Sequence, residues 1–126
     1  MEHPEPGARR SHLLIDGTNV VGSVPDGWWR DRPRAFARLA RRLAALPDRP
    51  LTVVFDGPRL ARDVGVGHDD HLDADDELAG RCGPGVLLVT SDRALADRAR
   101  SAGADVVGAR WLLDRLPPAP ERERHR

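Results

Sequence analysis

The stretch Leu13-Leu14-Ile15-Asp16 constrains the fold more than any other, because an apolar run breaks off on a carboxylate and is followed at once by Gly17-Thr18-Asn19. A run without polar alternation reads as a strand covered on both faces, the pattern of parallel sheets flanked by helices. Such sheets place their ligand sites beyond the carboxyl ends of their strands. Asp16 therefore stands where this architecture does chemistry. The pattern recurs in Leu51-Thr52-Val53-Val54-Phe55-Asp56-Gly57 and in Val86-Leu87-Leu88-Val89-Thr90-Ser91-Asp92. Three strand-like runs that each end on an aspartate can bring together acids far apart in the chain.

Helical patterns fill the spaces between these runs. Asp31 is placed to cap a helix over 32–46, with Pro33 tolerated in its first turn, Phe36, Leu39, Leu43 and Leu46 on one face, and Pro47 as its stop. Between Asp31 and the first strand, VGSVPDGWWRD reads as a turn-rich connection. From Gly57 to Asp73, Pro, Gly and charge predominate, and only Arg62 to Val66 has the character of a short edge strand. Ala74-Asp75-Asp76-Glu77 opens a short helix whose acidic first turn suits the positive end of the helix dipole. A helix over 93–102 follows the third run, capped by Ser91 or Asp92 and closed by Gly103. A short strand over 104–107 and a last helix with Trp111, Leu112 and Leu116 inward complete the pattern. Alternation of this kind predicts an α/β fold: a central, mainly parallel sheet between two helical layers. The 126 residues are divided into a loose arm over 1–11, one domain over 12–116 and a polar tail over 117–126.

Composition removes several function classes. Every one of the 20 basic residues is Arg, which excludes a Walker-A phosphate loop and any Lys-based Schiff-base chemistry. The 20 acidic residues cancel that charge, so any nucleic-acid footprint must lie in the distribution of arginines rather than in their sum. No apolar run approaches the roughly 20 residues of a membrane span, and the start lacks a signal-peptide core. The expected setting is the cytoplasm, as a monomer or weak homodimer. Cys82 is a lone cysteine and reads as a bystander.

Clustered carboxylates repel one another unless they are protonated or neutralised by a cation. Asp16, Asp56 and Asp92, joined by Asp75 and Asp76 at a helix start, form a donor set for Mg2+ or Mn2+, hard cations that take oxygen ligands and keep several waters. A site of that kind activates water and stabilises a phosphodiester transition state. Each acid also has a structural reading: Asp92 as a helix cap, Asp56 and Asp16 before glycines as turn residues, and Asp75 and Asp76 as surface acids on a helix dipole. Arg34, Arg38 and Arg41 make a stripe that faces either phosphates or water. Trp28 and Trp29, adjacent in a short loop, divide between core packing and stacking on a base. His68, Asp69, Asp70, His71 and Asp73 mix soft and hard ligands without metal-site spacing and read as a solvated loop.

The motifs LLIDGTNVVG, VVFDG, ADDEL and LLVTSDRALADRARSAGADVVGARWLL, in this order, resemble the NYN-domain group of PIN-like nucleases, in particular its YacP-like branch. The resemblance covers about residues 12 to 116. It implies a three-layer α/β/α PIN-like fold and metal-dependent endoribonuclease activity on RNA, with ribosome-bound mRNA as a possible substrate. By motif position it implies catalytic roles for Asp16, Asn19, Asp75 and Asp92, with Asp56 as a further metal ligand and Asp76 as an auxiliary acid. The segment between Asp56 and Asp75 departs from the family in being short and acidic. Three other readings compete. Ile15-Asp16-Gly17-Thr18 is similar to a motif of haloacid-dehalogenase-like phosphatases, but Leu14 stands where their nucleophile belongs. A PIN-like RNA-binding or ribosome-associated module without turnover would keep the same motifs. A nucleotide-binding regulatory domain would share the topology, since fold does not fix function.

Overall fold

In the computed structural model, which describes residues 12–46, 50–55, 67–69 (backbone alone) and 74–118, Leu13, Leu14 and Ile15 are buried on both sides, as their unbroken apolar run requires. They belong to β1 (His12–Asp16), the central strand of a five-stranded sheet. The others are β2 (Leu51–Val54), β3 (Gly67–Asp69), β4 (Val86–Val89) and β5 (Asp105–Val107). All pairings are parallel and the order is β3-β2-β1-β4-β5. Register sets Ile15 between Val53 on one side and Val89 on the other. The chain leaves β1 first toward β2 and later returns to β4 on the opposite side, so the order reverses at the β1–β4 crevice. Ligands of open α/β sheets bind at such reversals.

Five helices cover the sheet: α1 (Gly17–Gly22), α2 (Arg32–Ala44), α3 (Ala74–Gly80), α4 (Arg93–Ser101) and α5 (Ala109–Leu113). Because side chains alternate along a strand, β1 serves two cores. Leu13 and Ile15 pack with Val20 of α1, Phe36, Leu39 and Leu43 of α2 and Leu112 of α5. Leu14 packs on the other face with Leu78 of α3 and Leu95 and Ala99 of α4. The result is the α/β/α sandwich expected from the alternation.

Three local outcomes differ from the sequence expectations. Residues after Asp16 form a helix, α1, although Asp16 before Gly17 is a turn signal that predicts no helix there. Asp16 caps it by accepting from the Asn19 amide (3.4 Å), and Val20 and Val21 bury its inner face. Gly17 permits this close approach: a Cβ there would lie 2.8 Å from Val53 Cγ2 and nearer still to the Phe55 ring. Second, α2 ends at Ala44, and Leu46 closes the last turn by donating to the Leu43 carbonyl at 3.0 Å. Third, the edge strand is Gly67–Asp69; the stretch 62–66 expected to supply it lies outside the described residues, as do the arm over 1–11 and the tail from 119 onward. The Asp31 cap on α2 (Arg34 amide to Oδ1, 3.3 Å) and the left-handed Gly103 after α4 (φ 98°) form as expected. Among the described residues no helix is long and apolar enough to cross a membrane.

Candidate active site

The last residue of β1 carries the only buried carboxylate among the described residues: Asp16 is 5% exposed. A buried charge must be hydrogen-bonded, and both Asp16 oxygens are. Oδ2 accepts from the Thr90 hydroxyl at 2.8 Å, across the crevice from the end of β4, and Oδ1 accepts from the Asn19 amide. Thr90 in turn accepts from the Asp92 amide at 3.1 Å. Asn19 Oδ1 accepts from the Ser91 amide at 2.8 Å, a second tie across the same crevice. Ser91 Oγ accepts from the Ala109 amide at 3.0 Å, which attaches the start of α5. The loops after β1, β4 and β5 are thus sewn together around Asp16 by side chains that two of them supply.

Burial is the main cause that pushes the Asp16 carboxyl up from 3.8 to about 6. Hydrogen bonds from Thr90 and the Asn19 amide pull it down, and the charges of Asp75 and Asp92 push it further up. Those two acids, from the start of α3 and the start of α4, are therefore electrostatic neighbours of Asp16. Asp92 also caps α4, its Oδ1 accepting from the Leu95 amide at 3.1 Å, while its charge acts on Asp16. Asp76 points to α4 and pairs with Arg98 at 3.1 Å in an exposed bridge. Asp56 lies outside the described residues, as do the side chains of His68, Asp69, Asp70, His71 and Asp73. Leu14, the position a phosphatase nucleophile would need, is sealed in the core beneath α3 and α4.

Among the described residues no group of three or more His, Cys, Asp or Glu side chains sits close enough to form a metal cage. Mg2+ is commonly held through one or two carboxylates, with waters and substrate phosphate completing its shell. A buried carboxylate whose ionisation is opposed by two like charges is also the group a cation would most relieve. In kind and charge the carboxylates of Asp16, Asp75 and Asp92 suit a hard divalent ion, but the described side chains bring no three of them together, so waters and substrate phosphate would have to supply the rest of its shell.

Two features that the sequence offers for contact with RNA have defined places. Trp28 is half-buried and stacks on Phe36 (centroids 6.5 Å apart), which itself stacks on Phe55 at 4.4 Å, whereas Trp29 stands 57% exposed. The tryptophan pair thus divides, with Trp28 joining the core edge and Trp29 facing water under the Arg30 guanidinium. Arg34 and Arg38 rim a cleft of about 450 Å3 between α1, α2 and the loop that joins them. Arg30 and Arg42 complete that rim, and Arg41 is not part of it. Their spacing of four residues was the signal available in the sequence; Thr90 and Ser91 lie within the LLVTSD motif, but nothing local marked them as the side chains that tie the crevice together.

Fold and crevice together define a three-layer α/β/α protein with a buried aspartate at the switch of strand order. No family model matches the sequence, and no curated protein matches it significantly. The fold is shared with a solved protein, Rae1 (YacP) from Bacillus subtilis, whose crystal structure in a mutant form aligns with a TM-score of 0.66 over 83% of this chain and 74% of that one, at 23% identity. At that identity the likeness establishes the fold.

Proposed function

We propose that this chain is a divalent-metal-dependent endoribonuclease of the NYN, YacP-like kind, cutting RNA phosphodiester bonds at the β1–β4 crevice. The observation that carries the proposal is Asp16: a buried carboxylate at the switch point, raised by burial and by Asp75 and Asp92, and held in one orientation by Thr90 and Asn19. Maintaining such a group costs stability, and strained ionisation of this kind clusters at functional sites. Asp16, Asp75 and Asp92, with Asp56 and Asp76 as outer candidates, would hold Mg2+ or Mn2+. The ion would polarise the phosphodiester and generate the nucleophile from water. Thr90 donates to Asp16 and so fixes which lone pairs face the crevice, while Asn19, through the Ser91 amide, keeps the two loops at a constant separation. The resemblance to YacP-like proteins supports RNA as partner, ribosome-bound message included; a cytoplasmic setting and a monomer or weak homodimer belong to the same proposal.

A second reading, an RNA-binding module without turnover, draws on the structural duties already carried by Asp16 and Asp92 as helix caps. Purified protein incubated with labelled single-stranded and structured RNAs, with Mn2+ or with chelator, separates the two. The nuclease reading expects internal cuts that need the ion and vanish in Asp16→Asn. Binding without cleavage on every RNA, ribosome-bound message included, would favour the module.

A further inference from the structure

Two sets of arginines among the described residues contrast. Arg81, Arg98, Arg100 and Arg110, on or beside α3, α4 and α5, each pair with a carboxylate: Glu77, Asp76, Asp97 and Asp114. Arg30, Arg34, Arg38 and Arg42 line one cleft, and among the described residues no carboxylate lies within ion-pair distance of any of them. Asp26 and Asp31 share the rim, with one Asp31 oxygen occupied by the Arg34 amide. Arg42 is half-buried; its Nε donates to the Pro117 carbonyl at 2.7 Å, and burial together with the nearby Arg38 lowers its affinity for a proton. Four cations crowded on one wall, two of them near enough to repel, make a site short of negative charge.

Below that rim Val20, Val21 and Leu39 are already sealed in the core, so the apolar surface open to a ligand is the wall formed by the half-buried Val24, Trp28, Ala35 and Leu113. About 450 Å3 lies within the roughly 300–1,000 Å3 of ordinary small-ligand sites. A bare inorganic anion would use the arginines and leave that wall wet. A ligand with a phosphate at one end and a flat, weakly polar ring at the other would use both. None of Asp16, Asp75 and Asp92 lines the cleft, which is therefore separate from the acids.

We propose that the Arg30–Arg34–Arg38–Arg42 cleft takes one unpaired nucleotide of a single-stranded RNA, with its phosphate on the arginines and its base against the Val24–Trp28 wall, away from the point of cleavage. This deepens the ribonuclease reading and rests on it for the choice of RNA, but binding in the cleft does not require cleavage. A base paired inside a duplex cannot reach such a wall, so the cleft selects single strands.

The test is binding of a 2′-O-methyl single strand by full-length protein in chelator, where no cleavage occurs. Arg34→Gln with Arg38→Gln should weaken binding at least tenfold and flatten the slope of log affinity against log salt by about 1.4, at about 0.7 per lost contact. Val24→Glu, which puts an acid at the wall of the cleft, should weaken it comparably, while Arg110→Gln with Arg115→Gln should leave it within twofold. The matching duplex should bind at least tenfold more weakly. A 5′-mononucleotide should displace the strand at concentrations where inorganic phosphate of equal ionic strength does not. Unchanged affinity in both cleft variants, equal duplex binding, or equal competition by phosphate would each overturn the proposal. If RNA is cut while the cleft variants bind normally, this inference falls and the nuclease reading stands. If nothing is cut but strand binding depends on the cleft, the reverse holds.

Discussion

Asp16 is the residue whose environment has the most measurable consequences. Its carboxyl titrates near 6 in the folded chain, against an ordinary 3.8, so between those values the folded state binds more protons than the unfolded one. Stability of the metal-free protein therefore falls as pH rises through that window. Asp16→Asn removes the charge and keeps a capping oxygen; it should be more stable than wild type in chelator at pH 8, by up to about 3 kcal/mol, and nearly equal to it at pH 4. Urea unfolding at the two pH values checks this, and a gap independent of pH would mean that ionisation is not its cause. Gly17→Ala tests the neighbouring backbone: a methyl driven into Phe55 and Val53 should cost about 1–3 kcal/mol and lower the thermal midpoint. The sequence marked Asp16, because an unbroken apolar run ending on a charge is a local signal. It could not mark Thr90, since a hydrogen bond between residues 74 apart leaves no trace in either neighbourhood.

At the scale of elements, α4 separates two demands made on one side chain. Asp92 caps the helix through the Leu95 amide and also contributes charge beside Asp16. Asp92→Ala should lose about 0.5–2 kcal/mol of stability with the cap, whereas Asp92→Asn should keep it. Both should lose Mn2+-dependent stabilisation and RNA cleavage, because a neutral amide is a poorer partner for a hard cation. Thermal unfolding with and without Mn2+, alongside a cleavage assay, distinguishes them; full activity in Asp92→Asn would leave the residue a cap alone. Strands β1, β2 and β4 were legible because burial on both faces demands uninterrupted apolar residues. Helix α1 was not, because its composition argues for a turn and its stability comes from packing by Val20 and Val21 and from a cap that is also the site acid. On α2 the apolar face was read correctly in Phe36, Leu39 and Leu43, but the arginines that share a cleft are set by the loop and by α1. Hence Arg30 and Arg42 join Arg34 and Arg38, and Arg41 does not.

For the whole molecule, the β3-β2-β1-β4-β5 order was inferable only in kind: alternation implies a parallel sheet, while the position of the strand-order reversal follows from tertiary pairing. That order makes β1 the only strand paired to both halves, and its partner β4 arrives late in the chain. A fragment ending at Gly80 would keep β1, β2 and α3 but lack β4, and would leave Leu13–Ile15 with an open edge and Leu14 without Leu88 and Leu95 beside it. Such a fragment should be cut by protease at rates near those of unfolded chain, and a fragment ending at Leu116 should resist like the full chain; limited proteolysis followed by mass spectrometry compares the two. On a translating ribosome the same geometry becomes a matter of timing. β1 precedes both of its partners in the chain, so the growing polypeptide carries an adhesive, half-sheltered segment until β4 has emerged, and only then can Thr90 take hold of Asp16.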